Sequence, residues 1–180
     1  MLHEVAVRQG GPQDTGLLID LFDDAVAWLV ARGQPEQWGS EPFSRRADGR
    51  RRARDLAAGG GLFVAQNRQE PVGLLVVGDA PEYAPAIDRP ELYIELLLTA
   101  RRHAGNALGT RLIDVAIREA RAAKREVVRV DCWAGAPKLV NWYEQQGFTR
   151  TDRHERRGFV GQIFSMPVAP SRPGRPDPEK

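Results

Sequence analysis

A β-prone run that passes through a small-residue turn into a strongly patterned helix constrains this chain more than any other feature. Tyr93-Ile94-Glu95-Leu96-Leu97-Leu98 is largely apolar, and Arg101-Arg102-His103 is basic. Ala104-Gly105-Asn106-Ala107-Leu108-Gly109 is mostly small, and an amphipathic stretch follows it. A strand feeding a helix through so short a turn lays that helix on a sheet, which points to an α/β architecture. The same unit makes an anion site. The first helical amides have no internal partners, and the helix dipole puts partial positive charge at that end. Small side chains let a phosphate approach the backbone. The expected ligand is a nucleotide-like phosphate or pyrophosphate.

The two common glycine fingerprints do not fit. A P-loop needs Lys-Ser or Lys-Thr after its last glycine, and the spacing of Gly105 and Gly109 is not that of a dinucleotide site. A second segment narrows the choice. Val127-Val128-Arg129-Val130-Asp131-Cys132-Trp133 alternates like a strand. After Ala134-Gly135-Ala136-Pro137 comes Lys138-Leu139-Val140-Asn141-Trp142-Tyr143-Glu144-Gln145-Gln146-Gly147-Phe148. Pro137 suits a first helical position and Gly147 the residue past a helix end. Together the segments resemble the GCN5-related N-acetyltransferase (GNAT) family. Residues 104–109, followed by Leu112-Ile113, stand in the register of its acyl-CoA loop, [QR]-x-x-G-x-[GA]. Asn141-Trp142-Tyr143-Glu144-Gln145-Gln146-Gly147-Phe148 is similar to its late L-Y-E-x-x-G-F signature. Ala104 and Ala107 depart from the loop pattern, which changes side chains and leaves the backbone amides.

The rest of the chain reads consistently with that fold. Residues 4–8 form a short strand, 15–32 an amphipathic helix with Leu18, Leu21, Phe22, Ala25 and Leu29 on its apolar side, and 42–58 an Arg-rich helix. Residues 62–67 and 72–78 read as a hairpin around Arg68-Gln69-Glu70-Pro71. Strands at 92–98 and 126–133 and helices at 108–123 and 137–146 follow, then a strand pair at 149–156 and 159–166. The expected fold is α/β: a mixed, mostly antiparallel six- to seven-stranded sheet flanked by helices, of the acyl-CoA N-acyltransferase type. Residues 1–168 make one domain, and 169–180, with four prolines and no large apolar residue, a flexible tail.

Composition excludes several classes. Net charge is +2 in 180 residues, too little to argue for nucleic acid. The cluster Arg45-Arg46-Ala47-Asp48-Gly49-Arg50-Arg51-Arg52 lacks interleaved aromatics and reads as a solvated helix face. No apolar run has the length of a membrane span. Nothing at the start has the form of a secretion signal. One cysteine, Cys132, allows no internal disulfide. A cytoplasmic protein is expected. His3, His103 and His154 are scattered without metal-ligand spacing, so no metal is expected.

The resemblance implies transfer of an acetyl group from acetyl-CoA to a primary amine. A small-molecule amine is the favoured acceptor; a protein N-terminus or lysine is the rival, and a CoA-binding module without turnover a second one. A homodimer stays open. Such a transfer needs a base for the amine, a donor for the tetrahedral oxyanion and an acid for the departing thiolate. Tyr143 matches the family's acid, though its helical spacing also suits a core residue. Asp131, at the end of its strand, and Glu95, on the central strand, compete as the base; the resemblance favours Asp131, whose twelve-residue spacing to Tyr143 matches a family arrangement. By a period of two, Glu95 shares a face with Tyr93 and Leu97. Each acid equally suits a solvated or salt-bridged role near Arg129 or Arg111, and water alone could carry the proton. The resemblance puts the cofactor on Leu97, Leu98, Thr99, Ala104, Gly105, Asn106, Ala107, Leu108, Gly109 and Thr110, and requires the central strand to part from its neighbour. Trp38, between the first two helices, either stacks on a substrate or caps the core.

Overall fold

The structure, a computed structural model, describes residues 5–156 and 158–168. The expected tail at 169–180 and the first residue of the expected opening strand, Glu4, lie outside them. In chain order come β1 (Val5–Gln9), α1 (Thr15–Val30), α2 (Ala47–Ala58), β2 (Leu62–Asn67), β3 (Glu70–Gly78), β4 (Glu91–Thr99), α3 (Leu108–Ala122), β5 (Val127–Trp133), α4 (Pro137–Gln145), β6 (Thr149–Arg156) and β7 (Phe159–Pro167). Short 3-10 turns precede α1 and lead away from β4. The strands form one seven-stranded sheet in the order β1-β2-β3-β4-β5-β7-β6. Every neighbouring pair is antiparallel except β4 and β5. No described helix is long and apolar enough to cross a membrane.

Two cores cover the two faces of the sheet. On one, α3 and α4 bury Leu112, Ile113, Ala116, Val140 and Tyr143 against Leu75, Ile94, Val128 and Val130. On the other, α1 and α2 bury Leu18, Phe22, Val26, Ala53 and Ala57 against Leu62, Val64, Leu74, Val76, Leu96 and Leu98. The apolar stripe of α1 read from spacing is buried throughout.

Three local expectations are corrected. α2 begins at Ala47 and not at residue 42. Arg45 and Arg46 donate to Pro42 and Phe43 in tight turns, and Arg46 is extended (φ −91°, ψ 130°), so the chain enters the helix only after it. Glu70 and Pro71 belong to β3 and not to the turn. Pro71 is tolerated because the register of β4 stops short of it, so no amide is needed on that side. Glu95 does not share a face with Leu97. Val76 faces Leu96 while Val77 faces Ile94, which leaves Glu95 as the extra residue of a β-bulge. The bulge breaks the period of two: Ile94 and Leu97 face α3, whereas Leu96 and Leu98 face α1 and α2.

Candidate active site

The turn before α3 has the form of an anion cradle. Ala107 caps the helix in the left-handed region (φ 54°, ψ 22°), with no side-chain capping bond and no acid in the first turn. Gly105 is also left-handed (φ 83°). Among the described residues nothing accepts from the amides of Ala107, Leu108, Gly109 or Thr110. A Cβ at Gly109 would lie 2.7 Å from the Trp142 indole, so α4 packs directly on the turn. The basic residues before it are engaged elsewhere. Arg102 pairs with Glu70 at 2.6 Å, His103 lies 3.5 Å from the same carboxylate, and Arg101 stacks on Trp28 at 4.1 Å. The turn itself therefore offers backbone amides rather than cationic side chains.

β4 and β5 part beside this turn. They pair in parallel from Glu91 with Val127 up to Ile94 with Val130, and then stop, although β4 continues to Thr99 and β5 to Trp133. Ala100 donates to Val72, and the register sets Leu98 opposite Leu74. Ladder residues alternate in direction, so Leu97 and Thr99 turn their backbone groups away from β3, toward the gap. The parting implied by the family resemblance is thus present. Leu98 packs its side chain in the opposite core.

Tyr143 projects from α4 into the core that also holds Ile94, Val130 and Cys132. It is 5% exposed and touches Trp142, Phe148 and Phe164 at centroid distances of 5.0, 5.8 and 5.3 Å. Burial, then the neighbouring Cys132 and Asp131, push its phenol above the ordinary tyrosine range, so it stays protonated. Burial, with Asp131 adding to it, pushes the Cys132 thiol up to about 12, which keeps it from being a thiolate nucleophile.

On the α2 face the bulge opens into a cleft of about 740 Å³, with Arg52, Gly78, Tyr83, Tyr93, Glu95 and Arg156 in its wall. Glu95 points across Gly78, where a Cβ would collide with its carboxylate. Burial raises the Glu95 carboxyl above the usual carboxylate range; Arg52 opposes that shift and Asp79 adds to it. Among the described residues it makes no side-chain hydrogen bond. Glu95 is thus poised at the join between cleft and gap.

Asp131 is differently placed. Its Oδ1 accepts from the hydroxyls of Tyr93 at 2.7 Å and Tyr83 at 3.2 Å, and its Oδ2 lies 3.1 Å from Nε2 of His154. The His154 ring packs at a 33° tilt on Tyr83, with centroids 4.3 Å apart, and fills space left by Gly161, where a Cβ would meet the ring. Burial first, and the Asp131 charge second, raise the pKa of both phenols, which keeps them donors. Arg129 is not the partner of Asp131; it pairs with Glu91 at 3.0 Å.

Trp38 packs edge-on against Phe22 at 5.4 Å, against the α1–α2 core, and is not among the residues in the cleft wall. Tyr83, Tyr93 and His154, which surround Asp131, carry no signal in the sequence that marks them. Tyr83 stands in a proline-rich loop without periodicity, and the other two look like ordinary strand residues until the strands are assembled. Among the described residues no cluster of three or more acids, histidines and cysteines could hold a metal.

Known proteins share this construction. The chain resembles a GNAT-family acetyltransferase of Listeria monocytogenes, with 17% identity and a TM-score of 0.70 over 91% of this chain and 95% of that one. It also resembles yncA of Salmonella typhimurium, solved with its cofactor acetyl-CoA, with 16% identity and a TM-score of 0.64 over 93% and 95%. An agmatine N-acetyltransferase mutant in its apo form gives 15% identity and a TM-score of 0.67 over 92% and 100%. No curated protein sequence matches the chain. These likenesses establish the fold. The sequence profile of the Acetyltransferase (GNAT) family matches residues 23–148, a span that takes in the bulged strand, the cradle and the tyrosine helix, and the chain belongs to that family.

Proposed function

We propose that the protein transfers an acetyl group from acetyl-CoA directly to the primary amine of a small molecule. One observation carries this reading: the bulge puts Glu95 where the cleft on the α2 face meets the gap between β4 and β5. A two-substrate transfer needs such a meeting point, with the thioester on one side of the sheet and the acceptor on the other.

The residues fit the cofactor. Amides of Ala107, Leu108, Gly109 and Thr110 have no internal acceptor and suit the pyrophosphate. Gly105 and Asn106 shape the turn, with the Asn106 amide donating to the carbonyl of His103 at 3.0 Å. Backbone groups of Leu97 and Thr99 suit the acyl arm. Glu95 takes a proton from the ammonium form of the acceptor. The freed nitrogen lone pair attacks the thioester carbonyl, whose oxyanion receives a hydrogen bond from a β4 amide near Leu97. Collapse breaks the carbon–sulfur bond, Tyr143 protonates the leaving thiolate, and the extra proton on the newly acylated nitrogen passes to the resulting phenolate. Asp131 is assigned a positioning role, because two tyrosine hydroxyls and the His154 ring already surround its carboxylate. The one cysteine is free and buried, which fits a reducing compartment, and we assign the enzyme to the cytoplasm.

Acetyl-CoA mixed with the protein and a panel of small amines tests the reading, with free thiol and acetylated amine measured together. Equal amounts of the two products are expected. Turnover only on peptides would move the acceptor to a protein terminus or lysine. Tight acetyl-CoA binding without turnover on any acceptor would leave a binding module.

A further inference from the structure

The cleft wall carries both signs of charge, and its cations lack partners. Among the described residues no carboxylate lies within ion-pair distance of Arg51, Arg52 or Arg156. Of the acids beside them, Asp48 is taken by Arg46 at 2.8 Å, which leaves Asp55, Asp79 and Glu95. Arg156 sits 5.9 Å from the centre of the Tyr83 ring, and the Arg52 charge is felt by both Tyr83 and Glu95. Tyr83 is itself held by Asp131 and His154. Tyr83, fixed in place, therefore lines the same cleft as two free guanidiniums, and the proposed base lies in that cleft wall too.

An acceptor with only positive charges would match the free carboxylates but leave three guanidiniums without an anion. An acceptor with an apolar tail would leave those guanidiniums unmatched. A molecule that carries both an amine and an anion satisfies both sets of groups. Guanidinium is the side chain best shaped for a carboxylate or a related oxyanion, which it can grip with two parallel hydrogen bonds.

We propose that the acceptor is a zwitterion, a primary amine with a carboxylate or similar oxyacid group, whose anion lies between Arg52 and Arg156 while its amine reaches Glu95. This rests on the acetyl-transfer reading above. Binding the anion sets the distance and direction of the amine, so the charge pair acts as a ruler for the reacting nitrogen.

The test compares amino acids with the amines made by removing their carboxylate, such as arginine with agmatine, as acceptors in thiol release from acetyl-CoA. The amino acid of at least one pair should exceed its decarboxylated partner by about 10-fold or more in kcat/KM, the scale of one hydrogen-bonded charge. Both Arg52→Gln and Arg156→Gln lie on exposed positions and should fold. Each should collapse that preference ratio by about 10-fold, mainly through KM of the amino acid. Decarboxylated amines that match or exceed every amino acid overturn the zwitterion and leave acetyl transfer standing. A preference ratio that survives both substitutions also overturns it. Thiol release with no amine of either kind overturns the acetyl-transfer reading together with the inference built on it.

Discussion

Replacing Ala107 by glycine should stabilise the protein and leave the cofactor cradle intact. Ala107 holds φ 54° and ψ 22° at the start of α3, a conformation in which a Cβ crowds the following carbonyl. That strain is roughly 1–2 kcal/mol for an L-residue. Glycine removes it but adds freedom to the unfolded chain, which returns roughly 0.5–1 kcal/mol. The net gain is about 0.5–1 kcal/mol, and for a chain of this size that is a rise of about 1–4 °C in Tm. Two controls fix the cause. Ala104 has an ordinary φ of −55°, so Ala104→Gly should only lose stability. Gly105 has φ 83° and open space around its missing Cβ, so Gly105→Ala should lose stability through conformation alone, without a clash. Thermal unfolding of the three variants with and without acetyl-CoA measures all of this. If Ala107→Gly falls in Tm as far as Ala104→Gly does, the left-handed cap is not strained and the reasoning fails.

Three further outcomes follow from the same structure. Gly109→Pro deletes one free amide and should weaken acetyl-CoA binding by about 10- to 150-fold, the worth of one hydrogen bond to a charged group; Gly109→Ala keeps the amide, so calorimetry that finds the two equal would assign the loss to displacement of Trp142. Tyr143→Phe should keep acetyl-CoA affinity within a few-fold and cut kcat by about 10- to 1000-fold, around the scale of one proton-transfer group; wild-type kcat would make Tyr143 a core residue only. Asp14 is 7% exposed and bound by Arg8 at 2.6 Å and by the Gly11 amide at 3.0 Å. Those contacts, Arg8 foremost, hold its carboxyl below the usual range. Its contribution is full above the unfolded pKa of 3.8 and is lost as pH falls through the lower folded value. Asp14→Asn should therefore cost about 1–3 kcal/mol near neutral pH and shrink toward no difference in strong acid; denaturant midpoints measured across pH would show it.

The elements that position the site were legible because their patterns are local. A strand, a small-residue turn and an amphipathic stripe identify β4 and α3, and Pro137 and Gly147 bracket α4 within a residue or two of its observed ends. The bulge at Glu95 was not legible. Leu96, Leu97 and Leu98 are interchangeable in hydropathy, so nothing in the run marks where its alternation breaks, and only the register with β3 reveals it. The surroundings of Asp131 were hidden for another reason: Tyr83, Tyr93 and His154 come from a loop and two strands that are brought together only by the full sheet. The Arg-rich stretch reads as a solvated face, and its Arg51 and Arg52 are exposed while also bordering the cleft. A charge run in one sequence does not say which of its members borders a cleft.

The pH dependence of kcat/KM reveals whether Glu95 is the base. A base works deprotonated, so activity should fall as pH drops. Because the pKa of Glu95 is raised, that fall should begin at higher pH than for an ordinary glutamate. Glu95→Gln should lower kcat/KM by about 100-fold or more and flatten the acidic limb. Asp131→Asn should lower activity through its loosened tyrosines but keep the limb. A limb that persists in Glu95→Gln and vanishes in Asp131→Asn would contradict the assignment of Glu95 as the base.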